Sequence, residues 1–307
     1  MKRENRWKMN IKDIEKLLKS EAVNYLLVGN IDAEVIGFSS LKNYKSETIT
    51  WARNDYSFEN IEKKPYQILI GSKDLNIESI TFKSAILVDD PKKVFFHILE
   101  VFFKSEYELH GISNNARVID LGNLGVNVTV GDHSYIGPNV KIGQNTVIGN
   151  NVTIIGNVTI GEFTKIQSGT IIGEDGFAYL KDENGNLQHA PHFGGVRIGN
   201  HVSIGANVCV ARGAIDDTII DDYVKIDNLV HIAHNCNIGS NTIIIPGTYI
   251  YGSVTIGKNC WISTSCIRDQ ITIGDNVTVG MGAVVTKSVA NGVTVIGNPA
   301  RPFERGK

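Results

Sequence analysis

From residue 118 onward an aliphatic side chain returns at every sixth position: Val118, Leu124, Val130, Ile136, Ile142, Ile148, Ile154, Ile160, Ile166 and Ile172. The series resumes at Ile198, Ile204 and Val210 and changes phase. It then runs through Ile220, Ile226, Ile232, Ile238, Ile244, Ile250, Ile256 and Ile262, slips once more, and ends at Ile273, Val279 and Val285, twenty-four positions in all. Gly often follows directly, as in Val130-Gly131, Ile148-Gly149 and Ile204-Gly205. A six-residue unit is too short for a helix pair or a propeller blade and matches one flat face plus one corner of a parallel β-helix. The aliphatic side chains then stack into a continuous core, and Gly, Asn and Asp are expected at corners where positive φ must be tolerated. With three units per triangular coil, the pattern predicts roughly eight coils. A sandwich of short strands would require neither the fixed period nor such short turns.

The repeat is interrupted at residues 174–197, far more chain than a corner needs. Loops of this size without a helical pattern usually serve a site or reach a partner. Residues 1–113 lack the repeat and read as a separate small α/β domain, leaving 114–307 to the coil. Asn10 caps a helical face made by Ile11, Ile14, Leu17 and Leu18. Strand-like runs follow at Tyr25-Leu26-Leu27-Val28, Gln67-Ile68-Leu69-Ile70 and Ser84-Ala85-Ile86-Leu87-Val88, and Asp90-Pro91 opens a second helix carrying Val94, Phe95, Ile98, Leu99 and Phe102.

With 30 basic and 32 acidic side chains, a net charge of −2 gives no broad attraction for a polyanion, which argues against nucleic acid as a partner. The charged start, Met1 to Lys8, runs into the first helix without the apolar stretch of a signal peptide. No apolar run of about 18 residues could span a bilayer. These features predict a cytoplasmic protein without stable membrane insertion. Cys209, Cys236, Cys260 and Cys266 form no CxxC pair and read as reduced, buried thiols.

Hexapeptide repeats of this kind resemble the hexapeptide acyltransferase superfamily, whose coils are left-handed and whose members are homotrimers. Three longer strings narrow the likeness. Gly173-Glu174-Asp175-Gly176-Phe177-Ala178-Tyr179, Arg212-Gly213-Ala214-Ile215-Asp216-Asp217-Thr218 and Lys225-Ile226-Asp227-Asn228-Leu229-Val230-His231-Ile232-Ala233-His234-Asn235 resemble the UDP-3-O-acylglucosamine N-acyltransferases of lipid A assembly. That resemblance implies His234 as the catalytic base. An amine attacking a thioester must shed a proton, and an imidazole can accept it near neutral pH. Asp227, or Asp216, is the candidate to orient the ring, as a carboxylate does in a triad.

The same resemblance implies a uridine-binding segment in the first domain, with Trp51, Asn54 and Tyr56 holding the base between aromatic faces; Tyr56 comes one residue early for the family's spacing. Gln270 stands where the family has a second His, and the family's helical extension for its carrier protein has no counterpart. The ending, from Gly280-Met281-Gly282-Ala283 to Lys287 and then Asn298-Pro299-Ala300-Arg301, is similar to that of coenzyme A-dependent amino sugar acyltransferases. There Gly282 and Ala283 would let backbone approach the pantetheine arm, and Lys287 and Arg301 would meet its phosphates. Tyr249, Tyr251 and Trp261 lie where a long acyl chain could otherwise run.

The leading expectation is N-acylation of a UDP- or dTDP-linked amino sugar by acyl-coenzyme A, with no tightly bound cofactor. The alternative is the lipid A reaction, using an acyl carrier protein thioester. A metal-dependent hydratase of the same coil is a third class, raised by His231 and His234. It is disfavoured because positions three apart around a corner need not converge and no third His stands nearby in sequence, so no metal site is expected. A purely structural prism is the fourth.

Overall fold

A computed structural model describes residues 8–59, 64–103 and 111–303 of the chain. Residues 1–7 and His110, near which the first domain is expected to end, therefore lie outside the described residues. Contacts divide the chain into two compact units, Met1–Glu108 and Leu109–Lys307.

In the first unit, helix α1 (Ile11–Ser20) starts at a reciprocal cap: the Asn10 side chain accepts from the Asp13 N–H while Asp13 accepts from the Asn10 N–H. Helix α2 (Pro91–Phe102) starts at Asp90, whose carboxylate accepts from the Lys93 N–H, with Pro91 at the first helical position. They accompany a five-stranded sheet ordered Tyr25–Gly29, Phe82–Val88, Tyr66–Ser72, Thr48–Ala52, Gly37–Phe38, parallel except for its first strand. The core joins Ile11, Ile14 and Leu18 of α1 to Ile49, Ile68, Ile70 and Ile86 of the sheet and Val94, Phe95 and Ile98 of α2. The Thr48–Ala52 strand is one that the alternation-poor sequence TITWA did not announce.

The second unit is a parallel β-helix of three faces. Face I has nine strands, from Arg117–Val118 to Val284–Val285. Face II has seven, from Val140–Ile142 to Thr272–Ile273. Face III has ten, from Thr129–Val130 to Arg301–Pro302. The regular register is eighteen residues, as where Tyr135 pairs with Thr153 and Ile136 with Ile154. Twenty-two of the twenty-four repeat positions are buried, Val118 and Leu124 partly so at the open N-terminal end. Nine rungs on face I exceed the expected eight coils because Ile267, five residues after Ile262, continues the column that the sequence pattern seemed to break.

Asn takes positive φ at the corners as expected, whereas most Gly that directly follow an aliphatic residue do not. These Gly are required by close approach: a Cβ on Gly149 would lie 2.7 Å from the Ser168 nitrogen of the next coil, and one on Gly143 2.7 Å from Glu162. The left-handed residues occur farther round the corner, in a column that includes Asn127, Asn145, Asn241, Asn259 and Asn276, where the Asn side chain tolerates the conformation. Phe163, His201 and Tyr223 occupy the middle of that column. Their rings stack at 5.0 and 4.8 Å within 2° and 6° of parallel, an interaction that offsets the cost of the left-handed backbone.

The cysteines are free, but only Cys236 and Cys260 are buried; Cys209 points outward from face I and is exposed. Burial pushes the Cys236 thiol up to about 11, so it carries almost no thiolate at neutral pH. At pH 7.5 iodoacetamide should leave Cys236 unmodified in the folded protein and alkylate it after unfolding, as read by peptide mass spectrometry; labelling of native Cys236 would contradict the packing. Ile244→Ala, at a position of 0 % exposure in mid-column, should cost about 2–5 kcal/mol in urea unfolding of the coil.

Candidate active site

The coil departs from its period mainly at one edge, where face I turns into face II. Between Glu174 and Val196 this corner carries the long loop. At the next coil, between Ala211 and Thr218, it carries a shorter excursion. At the third coil the corner returns to regular length and presents His234, just after the His231–Ile232 strand. The two excursions brace one another: the Phe193 N–H donates to the Ala214 carbonyl at 2.8 Å, the Gly195 N–H to Asp217 Oδ1 at 2.7 Å, and Arg197 pairs with Asp217 at 2.8 Å.

Beneath them lies an open cavity of about 770 Å³, lined by Asp175, Gly176, Phe177, Tyr179 and His189 of the loop and by Ala211, His231, Ala233, His234, Tyr251, Gly252 and Asp269 of successive coils. The volume is in the range of small-molecule sites. The half-buried His234 ring is fixed from three sides. Its Nδ1 is 3.0 Å from Asn235 Oδ1. The Asn235 amide is itself oriented by backbone: Oδ1 accepts from the Ala214 N–H at 3.1 Å and Nδ2 donates to the Asp216 carbonyl at 3.0 Å. An oxygen therefore faces Nδ1, so Nδ1 carries the proton in the neutral ring and Nε2 keeps a lone pair. The flanks are closed by two glycines. A Cβ on Gly252 would lie 2.7 Å from Nε2, and one on Gly176 would lie 2.7 Å from Cδ2. Burial pushes the neighbouring His231 imidazole below its ordinary pKa, which favours an uncharged ring in the same cavity.

Three further groups enter from the loop. Asp175 receives Arg212 Nε at 2.5 Å on Oδ1, with Nη2 on the same oxygen, while Oδ2 is 3.5 Å from His189 Nε2. The buried His192 ring lies 5.8 Å from that of His234. His231 and His234 thus line one cavity, and two histidines distant in sequence, His189 and His192, come beside it through the loop. The loop folds back over the corner, a long-range closure that sequence separation conceals.

Asp227 is not the orienting carboxylate within the chain. Its Oδ1 accepts from the Asn228 N–H, and it lines a different groove with Lys165, Ser203 and Lys225. Rotation round the coil separates it from the His234 corner. Asp216 contributes only its main-chain oxygen, and Asn235, adjacent to the base in sequence, is the residue that reasoning by triads missed.

In the first unit Trp51 sits in the Thr48–Ala52 strand, half-buried, 6.4 Å from the Phe95 ring. Tyr56 is 76 % exposed. Asn54 precedes a short 3-10 helix (Asp55–Phe58), where its side-chain oxygen accepts from Ser57 Oγ at 3.3 Å. None of the three lines the cavity of about 700 Å³ bounded by Leu18, Glu21, Lys93, Phe96, His97 and their neighbours, but Asp55 and Phe58 of the same segment line a smaller one of about 70 Å³ with Tyr66, Ile80 and Thr81.

At the C-terminal end Gly282 has φ +74° with open space where a Cβ would be, and Lys287 and Arg301 are exposed. Ala283 does not fit its expected role. Its methyl is buried in the core, its N–H donates to Gly280 and its carbonyl accepts from Cys266, so neither backbone group is available to a pantetheine arm. Of the three bulky aromatics only Tyr251 lines the His234 cavity; Tyr249 and Trp261 project from faces I and III. Gln270 takes a left-handed corner.

Residues 139–174 and 253–287 match the bacterial transferase hexapeptide (six repeats) family, and residues 230–264 the hexapeptide repeat of succinyl-transferase. The chain is similar to UDP-3-O-acylglucosamine N-acyltransferase 2 of Legionella pneumophila, 52% identical over 61 residues, which cover 20% of this chain and 18% of the relative. It is similar to UDP-3-O-acylglucosamine N-acyltransferase of Delftia acidovorans, 55% identical over 62 residues, with the same coverage of 20% and 18%. The match thus spans about a fifth of the length of these relatives. Among solved structures, a UDP-N-acetylglucosamine acyltransferase from Bacteroides fragilis aligns with TM-score 0.56 at 25% identity, over 62% of this chain and 73% of that one. One from Campylobacter jejuni aligns with TM-score 0.53 at 22% identity, over 64% and 74%. The left-handed parallel β-helix is the fold held in common. Among the described residues no helix is long and apolar enough to cross a membrane.

The two flanking glycines give a direct test. Neither has positive φ, so Gly252→Ala should leave the coil folded by circular dichroism while displacing the His234 ring and lowering turnover by at least about tenfold, a loss of 1.4 kcal/mol or more in transition-state stabilisation. Full activity in the Ala variant would show that the ring does not work from this position.

Proposed function

We propose that this chain is an N-acyltransferase that moves an acyl group from a thioester to the amino group of a nucleotide-linked amino sugar, with an acceptor of the UDP-acylglucosamine type. The carrying observation is His234: an imidazole whose Nδ1 faces the Asn235 amide oxygen, so that Nε2 is the nitrogen left as acceptor beside a cavity that can admit a sugar. The amine nitrogen attacks the thioester carbonyl as Nε2 takes its proton. The N–C bond forms, the C–S bond breaks, and the sulfur leaves as a thiol with the proton returned by the imidazolium. A positioned base of this kind contributes about 10²–10⁴-fold.

The names of the relatives shift the order of the two acceptor readings. They specify UDP-3-O-acylglucosamine, which favours the lipid A type of acceptor over another amino sugar; the acyl carrier protein thioester comes with that reading and is not specified by the names. Coenzyme A remains the second reading, supported by exposed Lys287 and Arg301 near the open Gly282 corner. Uridine recognition by Trp51, Asn54 and Tyr56 belongs to the proposal, with exposed Tyr56 the group most accessible to a base.

A homotrimer is also part of the proposal. The outward row of face II is mostly polar, with Lys141, Thr159, Arg197, Asn237, Thr255 and Thr272 around the single aliphatic Ile219, whereas face I turns Tyr135, Ile171, Cys209, His231, Tyr249 and Val284 outward beside Arg117 and Thr153. Packing face I against neighbours removes apolar area from water at about 25 cal/mol per Å² and leaves the polar face to solvent.

His234→Ala should retain the oligomer on size-exclusion chromatography and lose at least about 100-fold in turnover. Turnover should be followed by the mass gain of UDP-3-O-acylglucosamine supplied with a hydroxyacyl carrier protein or with acyl-coenzyme A. Unchanged turnover in the variant would remove the base assignment, and acylation by coenzyme A thioesters alone would reverse the preferred donor.

A further inference from the structure

The long loop leaves the coil and returns to it beside His234, and the two arms meet through groups that the acyl-transfer reading does not use. Asp175 is on the outgoing arm, His189 ends the second strand of the hairpin of Tyr179–Lys181 and Leu187–His189, and His192 follows on the returning arm. One ligand atom from each of the three lies within 4.8 Å of the others. His192 is the decisive member. It is 4 % exposed, and its Nε2 is buried without a hydrogen-bond partner among the described residues. Its Nδ1 is 3.0 Å from the Ala190 carbonyl. A carbonyl only accepts, so Nδ1 carries the proton and Nε2 is left with a desolvated lone pair. A buried acceptor without a donor is costly, and a cation bound there would satisfy it.

The carboxylate is prepared in the same sense. Both contacts from Arg212 go to Asp175 Oδ1, and Oδ2 is the oxygen turned to His189, 3.5 Å from its Nε2. Zinc bonds of about 2.0–2.2 Å in a tetrahedron set neighbouring ligand atoms about 3.4 Å apart, so this pair already stands at chelating separation. The His189 and His192 rings are nearly parallel, 18° apart with centroids at 5.7 Å. A backbone carbonyl behind a ligating imidazole is the usual outer support of a zinc histidine.

We propose that Asp175, His189 and His192 form a three-ligand site for a divalent transition metal of the zinc type, which cross-links the two arms of the loop beside the active-site cavity. Two imidazoles and one carboxylate leave a fourth position to water. The cation closes the hairpin into a ring, much as a disulfide would, and holds Gly176 against His234. The proposal does not depend on the acyltransferase assignment, because metal binding and loop protection are read without turnover.

The test uses the full chain, tag removed and stripped with chelator, titrated with Zn²⁺ by calorimetry and followed by limited proteolysis. One Zn²⁺ per chain is expected, with protection of the 179–189 hairpin from cleavage. His189→Ala alters a partly exposed side chain that should not disturb folding, and it should weaken binding by at least about tenfold, as should His192→Ala. His133→Ala, at an exposed corner outside the loop, should leave binding unchanged. Absence of Zn²⁺ binding, binding that survives His189→Ala in a folded protein, or loss on His133→Ala would each overturn the assignment.

Discussion

The main-chain register of the coil is the constraint from which the rest follows. Each strand bonds to the strands one coil before and after it, so that Ile148 sits on Ile166 and Ile226 on Ile244. Side chains of one type are thereby forced into vertical columns. A column of Ile and Val fills the interior, and a column of Asn serves a left-handed corner. Since pairing fixes height and phase together, a residue's distance from the site is set by its place in the period rather than by local propensity.

The site arises where that regularity is relaxed. Two successive corners accept extra chain without disturbing the columns inside, because Ile172 still pairs with Val210 and Val210 with Ile232 across the insertions. The third corner keeps its normal length and gains a roof. Asn235 illustrates the economy of this arrangement: a left-handed corner residue of the kind used throughout the coil also presents an amide oxygen to the adjacent imidazole. Its amide is held by the excursion beneath it, through Ala214 and Asp216. Glycine at Gly176 and Gly252 then leaves room for a ring that any larger side chain would displace.

The coil was legible because a fixed period is a property of sequence alone. Ile267 escaped the pattern because one residue fewer in a turn moves the phase while the column continues. His234 was legible through the string around it, and the loop through the gap it opens in the period. What the loop brings back was not. His189 and His192 lie some forty residues before His234 in the chain, and their approach depends on a hairpin closing over a corner. Asp227 misled for the converse reason: it is seven residues from His234, yet that separation carries the chain round from one face of the prism to another. In the first unit, the contact of Trp51 with Phe95 joins residues more than forty positions apart and was not marked in the string around either.

The central claim is that the protein holds His234 in the tautomer that leaves Nε2 free. Imidazole ¹⁵N–¹H correlation spectra of protein labelled at histidine, recorded near pH 8.5, about two units above an ordinary imidazole pKa of about 6.5, report that state directly, with His234→Gln supplying the assignment. The expected result is a neutral ring protonated at Nδ1, with the Nε2 resonance shifted when substrate is added. A ring protonated at Nε2 in the free protein would mean that Asn235 does not set the base, and the chemistry assigned to this corner would not hold.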